Sequence, residues 1–254
     1  MQAIKFTPGE ALNEAEAQEF IRHIDNRIQA HLESVLESEM WRTLSDPETD
    51  PALARAIFRE VHLEIYAYQP HVTEASYLLI SKMPKHDTEL IRNLTLQELD
   101  EVDHGEMALK DYIALGGDEE FARNFRRTPA ALAFDGMWWE FARSENPFCY
   151  LGAMYPFEGL TPEFSERAKR IMLGTGAQED ELGFVVFHAE EDIAHAALVR
   201  NTIKRVVMTY PGAAEHIEYG LECFMQLFPL PIWQFAFERA LAMAGPGHSA
   251  SNAS

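Results

Sequence analysis

Apolar residues recur every three or four positions along most of the chain, which is the spacing of the buried face of an α-helix. The first such stretch passes through Phe20, Ile24, Ile28 and Leu32. Strict alternation of apolar and polar residues, which is typical of a half-buried strand, does not extend over a useful length. The pattern therefore predicts an all-α fold, a single-domain bundle of about seven to nine helices.

Prolines and glycines divide this pattern into long segments. A helix is predicted over 51–83, with a kink at Pro70 because proline lacks the backbone donor. The next helix is predicted without a break over 88–115, where Gly116 and Gly117 follow as a C-terminal signal.

The second half of the chain is read in the same way. Helices are predicted to begin at Thr128 and at Thr161, each followed by proline, and a long helix is predicted over 179–210. No linker divides the chain, so the predicted domain spans 1–243. The tail, 244–254, is predicted to be disordered.

Composition narrows the classes of function. The 254 residues are 47% hydrophobic and carry a formal net charge of −20, which argues against nucleic acid or an anionic membrane as partner. The two cysteines, Cys149 and Cys223, stand in apolar surroundings and form no metal-binding motif. The sequence has no signal-peptide core and no run of about 18 apolar residues, so a cytoplasmic protein is expected.

The segment "FHAEEDIAHAAL" places polar groups on an apolar helix face. His188, Asp192 and His195 stand at i, i+4 and i+7, and Phe184 and Val199 continue the same stripe. A buried charge is costly unless it is paired or coordinates a metal. The trio is therefore a candidate metal-binding set, and a solvated face or a buried His–Asp hydrogen bond is the alternative.

Two other segments offer complementary ligands. Glu101 and His104 stand at i and i+3 in "ELDEVDHGEMALKDY", with Glu98 and Glu106 as competing carboxylates. Glu158 is the single charged residue in an otherwise apolar run. A solvated face for the first pair and a helix end for Glu158 are the alternatives.

Taken together, these segments supply three carboxylates and three imidazoles. That number suits two iron ions, each with mixed nitrogen and oxygen ligands and open positions. The candidate metal ligands are Glu101, His104, Glu158, His188, Asp192 and His195.

The order "EVDH", "YPFEG", "HAEEDIAH" resembles the heme-oxygenase-like diiron oxidases and oxygenases. The three-residue step in "EVDH" is similar to the branch that contains alkene-forming fatty-acid decarboxylases. A ferritin-like diiron bundle would need a second Glu-x-x-His motif. A heme oxygenase would need a proximal histidine, for which His23 or His31 is available, and a thiaminase-type relative would need a cysteine nucleophile.

The resemblance implies a heme-oxygenase-like helical fold and two iron sites. One iron would be held by Glu101, His104 and His188. The other would be held by Glu158, Asp192 and His195. Manganese would suit the same ligands. O2 would be the co-substrate, and a peroxo-diferric species would form. The family also implies a mobile ligand-bearing helix and a weakly held second iron.

The implied reaction is oxidative C–H activation, C–C cleavage or decarboxylation of a small amino acid or aliphatic carboxylic acid. The alternatives are N-oxygenation of an amine and a non-catalytic metal-binding role. A reductase or other electron donor and a second copy of the chain are the protein partners to consider. Arg200, Lys204 and Arg205 follow the histidine motif and are candidates for holding a substrate carboxylate, with a solvated surface as the alternative.

Overall fold

The computed structural model describes residues 9–190 and 192–245, and in this part of the chain the side chains of residues 190, 192 and 193 are not described. Helices supply all the regular secondary structure within these bounds, which confirms the predicted all-α, heme-oxygenase-like class. The helices are α1 (Glu14–Leu36), α2 (Glu39–Ser45), α3 (Pro51–Ser81), α4 (Thr88–Asp100), α5 (His104–Ala114), α6 (Glu119–Arg123), α7 (Pro129–Arg143), α8 (Cys149–Gly174), α9 (Gly183–Glu190), α10 (Asp192–Thr209), α11 (Ala213–Leu227) and α12 (Leu230–Ala244).

Local side-chain caps explain where several helices begin. Asn13 accepts hydrogen bonds from the backbone at the start of α1, and the Glu16 side chain bonds back to the Asn13 amide. Asp50 and Thr128 cap α3 and α7, and each of these helices has proline in its first turn.

The two longest helices, α3 and α8, form the centre of the fold. α3 packs against α5, α7 and α12, and α8 packs against α9, α10 and α11. Their buried faces include Ile57, Leu79 and Tyr150, which are fully enclosed. Burying a large apolar side chain contributes about 1.5–3 kcal/mol, so this shared core holds together helices that would be marginal alone.

The predicted continuous helix over 88–115 is wrong, because α4 ends at Asp100 and α5 begins at His104. The backbone tightens here. The amide of Glu101 donates to the carbonyl of Glu98 at 3.2 Å, and that of His104 donates to the carbonyl of Glu101 at 3.4 Å. These bonds span three residues rather than four, as in a 3₁₀-helix, and they need neither proline nor glycine.

A helix start at Thr161 is also wrong, because α8 runs without a break through Pro156 and Pro162. Each proline removes one backbone donor from the helix. The packing of α8 against three neighbouring helices outweighs this loss, since tertiary contacts override local preference.

The ends of the fold are described only in part. α12 extends to Ala244, one residue beyond the predicted domain boundary, and residues 246–254 of the predicted tail lie outside the described residues. Within the part of the chain that the structure describes, no helix has both the length and the apolar character needed to span a membrane.

Candidate metal centre

Glu101 and His104 stand on either side of the tight turn between α4 and α5. Their side chains meet, with 2.6 Å between Oε2 of Glu101 and Nδ1 of His104. In a 3₁₀-type turn, side chains three residues apart are eclipsed, so both groups point in one direction. Both residues are buried, at 6% and 1% exposure. The turn therefore keeps these two groups side by side, as the predicted unbroken helix would also have done.

His188 reaches the same point from α9. Its Nε2 atom lies 3.1 Å from Nδ1 of His104, and its Nδ1 atom lies 2.7 Å from the carbonyl oxygen of Phe184. A donor bond from Nδ1 to that carbonyl leaves Nε2 with a free lone pair, which is the form that binds metals. Burial, reinforced by the charge of His104, lowers the pKa of His188 to about 3, so the ring is neutral at neutral pH.

A second group forms around Glu158 of α8 and His195 of α10. Oε2 of Glu158 and Nδ1 of His195 are 3.6 Å apart, and Oδ2 of Asp100 lies 3.6 Å from Nε2 of the same ring. The interaction with Glu158 raises the pKa of His195 to about 9. Burial raises the pKa of Glu158, which is 4% exposed.

Glu101 belongs to both groups. One potential ligand atom from each of Glu101, His104 and His188 lies within 4.8 Å of the others, and the same holds for Glu101, Glu158 and His195. A carboxylate shared between two such groups could offer an oxygen to a cation in each of them. Five of the six predicted ligands thus meet at one place, and the side chain of Asp192, the sixth, lies outside the described residues.

Two buried glutamines, which the sequence patterns did not single out, orient the carboxylates. The amide of Gln69 donates to Oε2 of Glu101 at 3.0 Å, and that of Gln97 donates to Oε1 of Glu158 at 2.7 Å. Gln97 precedes Glu101 by one helical turn, so the spacing in the sequence could have placed it on the same helix face as Glu101. Gln69 belongs to α3 and carries no such signal.

A third buried carboxylate, that of Glu98, lies near the candidate ligands. Glu98 is 1% exposed and accepts a hydrogen bond from the Tyr150 hydroxyl at 3.1 Å. Burial, reinforced by the charges of Glu101 and Glu158, raises its pKa well above the usual range. Glu106, the other competing carboxylate, is exposed and pairs with Arg123 instead.

The donor set fits divalent cations. Glu98, Glu101 and Glu158 are all buried, and within the described part of the chain no lysine or arginine forms an ion pair with them. The Nε2 atom of His104 is buried without a hydrogen-bond partner. Clustered buried carboxylates are costly unless a cation neutralises them, and mixed imidazole and carboxylate ligands suit iron or manganese.

An apolar cavity opens onto these residues. Its volume is about 80 Å³, well above the roughly 10–15 Å³ that one water needs, so it can hold a small organic group. Glu101, Glu158 and His188 are among its lining residues. Most of the wall is aromatic or aliphatic, and it includes Trp41, Phe58, Ile65, Tyr68, Phe157, Phe164, Ala168, Phe184, Phe228 and Trp233.

The three basic residues of α10 do not line this cavity. Arg200 pairs with Asp25, Lys204 with Glu14, and Arg205 with Asp87. Each basic side chain is therefore engaged by a carboxylate on another element. The solvated-surface alternative describes them better than a role in holding a substrate carboxylate.

The residues needed for the rival chemistries also lie elsewhere. His31 bonds to the carbonyl of Phe228 and His23 pairs with Glu218, so neither faces the cavity as a heme ligand would. Cys149 has a neighbour that the sequence did not reveal, His216, with 3.9 Å between Sγ and Nδ1. Burial nevertheless raises the pKa of this thiol to about 11, which disfavours a nucleophilic thiolate.

A sequence profile described as "Iron-containing redox enzyme" matches residues 59–228. The chain belongs to this family. The matched span covers about two thirds of the chain and contains every candidate ligand. The family resemblance noted from the three motifs is thereby confirmed at the level of an iron-containing redox family. Comparison with curated protein sequences gives no significant match.

Solved structures support the same fold. A domain of unknown function with a heme oxygenase-like fold from Shewanella denitrificans has a TM-score of 0.78 at 17% identity, over 92% of this chain and 98% of that one. A TenA homologue from Pseudomonas syringae has a TM-score of 0.69 at 16% identity, over 93% and 100%. A TenA homologue from Pyrococcus furiosus has a TM-score of 0.64 at 12% identity, over 85% and 99%. At these identities, the likeness concerns the fold alone.

Proposed function

We propose that this protein is an O2-dependent non-heme diiron oxidase or oxygenase that acts on a small aliphatic carboxylic acid or amino acid. The observation that carries the proposal is the position of Glu101, which is shared by two potential ligand groups and lines an apolar cavity. Membership of an iron-containing redox family supports iron as the metal.

The two groups support the ligand assignment, and Asp192 is added to it from the sequence motif. Glu101, His104 and His188 would hold one iron, and Glu158 and His195, with Asp192 and the shared Glu101, would hold the other. When bound, ferrous iron supplies electrons and coordination positions for O2. His188 is neutral at neutral pH, so it binds a cation without first losing a proton.

The chain's own contribution is orientation and exclusion of water. Gln69 and Gln97 hold the carboxylates of Glu101 and Glu158 in place through hydrogen bonds. The aromatic wall keeps the site apolar, which strengthens electrostatic interactions within it and protects reactive species from side reactions.

The cavity supports the substrate class. Its apolar wall suits a hydrocarbon group, and no lysine or arginine is among the lining residues that the structure describes. The carboxylate of an acid would therefore find positive charge at the metals, next to Glu101, Glu158 and His188. The reactions that fit are oxidative C–H activation, C–C cleavage and decarboxylation. A reductase or another donor would return the iron to the ferrous state between turnovers.

The test begins with anaerobic loading of the protein with Fe(II), with Mn(II) in parallel, followed by rapid mixing with O2 and a chemical reductant. We expect two iron ions per chain, a transient visible absorption band, and O2 consumption that depends on iron. Failure to bind iron, or iron bound without O2 consumption in the presence of acids and amines, would indicate a non-catalytic metal-binding protein.

Substrates are identified in the same assay by faster decay of the band. Ala168 lines the cavity, so Ala168→Phe should fill it and abolish the response to an acid while leaving the iron content unchanged. Ala242→Phe, on the exposed face of α12, is the matched control. Product mass then separates the reactions: loss of CO2 or a carbon fragment supports the proposal, whereas oxygen gained at nitrogen indicates N-oxygenation.

A further inference from the structure

The N-terminus of α9 lacks a cap of its own. The residue before the helix is Leu182, which is fully buried and has no side-chain acceptor. The first amides of a helix have no partner within it, and leaving them unbonded in a buried position is costly. Since α9 also carries His188, the group that satisfies these amides determines where that ring lies.

Asp111 of α5 supplies the missing acceptor. Its Oδ2 atom accepts a hydrogen bond of 2.9 Å from the amide of Phe184. Asp111 is 3% exposed. His62 of α3 approaches the same oxygen with Nε2 at 3.5 Å. A side chain 73 residues away thus caps the helix.

Phe184 connects this cap to the candidate ligand. Its amide is held by Asp111, and its carbonyl oxygen lies 2.7 Å from Nδ1 of His188. Its ring also stacks on the imidazole, with 3.9 Å between centroids. Movement of the first turn of α9 would therefore displace both the hydrogen-bond acceptor and the stacking partner of His188.

We infer that Asp111 is a positioning residue for the iron site of Glu101, His104 and His188, acting through the N-terminus of α9 and through Phe184. The inference rests on the proposed diiron function. Asp111 belongs to neither potential ligand group, so its effect on the metal is indirect. The second group, which contains Glu158 and His195, should not depend on it.

Equilibrium titration with Fe(II), followed by circular dichroism of the ferrous sites in the absence of O2, tests this inference without using activity. Asp111→Ala should lower the affinity of one of the two iron sites by about 10–100-fold, which is the range found for groups that orient metal ligands. Asp111→Asn should bind nearly as the parent does, because an amide oxygen caps a helix about as well as a carboxylate. Asp135→Ala removes another buried aspartate, 1% exposed and distant in sequence from α9, and should keep both irons.

Each outcome bears on the inference. Unchanged iron affinity in Asp111→Ala would overturn it, and so would equal losses in Asp111→Ala and Asp111→Asn, because capping would then not be the cause. If Asp111→Ala does not fold, Asp111→Glu keeps the charge but shifts its oxygens. That variant should lose several-fold in affinity at one site, and parental binding would overturn the inference. A parent protein that binds no iron would instead refute the proposed function.

Discussion

Nε2 of His188 lies 3.1 Å from Nδ1 of His104, although 84 residues separate the two rings. Two imidazole nitrogens this close repel each other if both carry protons, and burial lowers the pKa of His188 to about 3. The two rings are therefore close enough for both to bind the same cation. On the other side of Glu101, His195 has a pKa raised to about 9, so a metal there must displace a proton.

The first prediction tests how the candidate ligands are divided between the two iron sites. We expect His188→Ala and His195→Ala each to retain one iron per chain, because each ring belongs to one group only. Glu101→Ala should lose most binding at both sites, since Glu101 belongs to both. Iron per chain after anaerobic loading and desalting measures this. His86→Ala, an exposed histidine, is the control. Normal iron content in Glu101→Ala would refute the shared role.

The second prediction concerns the amide that orients Glu158. Gln97→Leu keeps the bulk of the side chain but removes the donor that lies 2.7 Å from Oε1. We expect about a 10-fold or greater loss of iron affinity at the Glu158 group, since groups that orient ligands have effects of that size. Equilibrium Fe(II) titration measures it.

The matched control for Gln97→Leu is Gln234→Leu. Gln234 makes the same kind of bond, 2.9 Å to Glu238, on the exposed face of α12. That variant should bind iron normally. Equal affinity in both variants would show that the hydrogen bond from Gln97 does not organise the site.

Helical periodicity was sufficient to predict the fold class but not the division of its helices. The turn between Asp100 and His104 contains neither glycine nor proline, so it carries no local signal. Pro156 and Pro162 carry a strong signal, which the packing of α8 overrides. In both cases the outcome depends on neighbours that are distant in the sequence.

The candidate site divides in a similar way. Glu101, Glu158 and His188 stood out because a charged or polar group interrupts an apolar stripe, and the structure brings them together. Gln69 and Asp111 did not stand out, because their roles depend on atoms 32 and 73 residues away. Candidate ligands can be found from local spacing, whereas the groups that we propose to position them are brought there by tertiary contacts.

The third prediction uses the buried Asp135 of α7. Burial raises the pKa of this carboxyl to about 7, although Arg127 pairs with it. Because the folded-state pKa is above the usual value near 4, the folded protein holds a proton that the unfolded chain lacks between about pH 4 and 7. The stabilisation that this bound proton gives to the folded protein is complete below about pH 4 and is lost as the pH rises through about 7.

Asp135→Asn cannot ionise and should not show this loss. We expect the unfolding free energy of the variant, relative to the parent, to rise by on the order of 1–4 kcal/mol between pH 4.5 and 8. Urea denaturation at both pH values measures it, and iron binding should be unaffected. A pH-independent difference between variant and parent would show that Asp135 titrates normally.

The last prediction concerns the contact between α8 and α11. A Cβ atom added at Gly152 would lie 1.8 Å from the carbonyl oxygen of Ile217 and 2.8 Å from the amide nitrogen of Leu221. These are backbone atoms, so a side chain at Gly152 requires the two helices to separate. Overpacking of this kind typically costs about 1–3 kcal/mol. We therefore expect Gly152→Ala to lower the free energy of unfolding by about 1–3 kcal/mol or more.

Gly136 on α7 provides the matched comparison, because a Cβ atom there meets nothing within 4 Å. Gly136→Ala should stabilise the protein by about 0.5–1 kcal/mol, since alanine loses less backbone entropy in a helix. Denaturant unfolding of both variants gives the two values. Similar effects of the two substitutions would mean that α8 and α11 do not approach each other this closely. Opposite effects would confirm the close contact, which holds α8, the helix that carries Glu158, against α11.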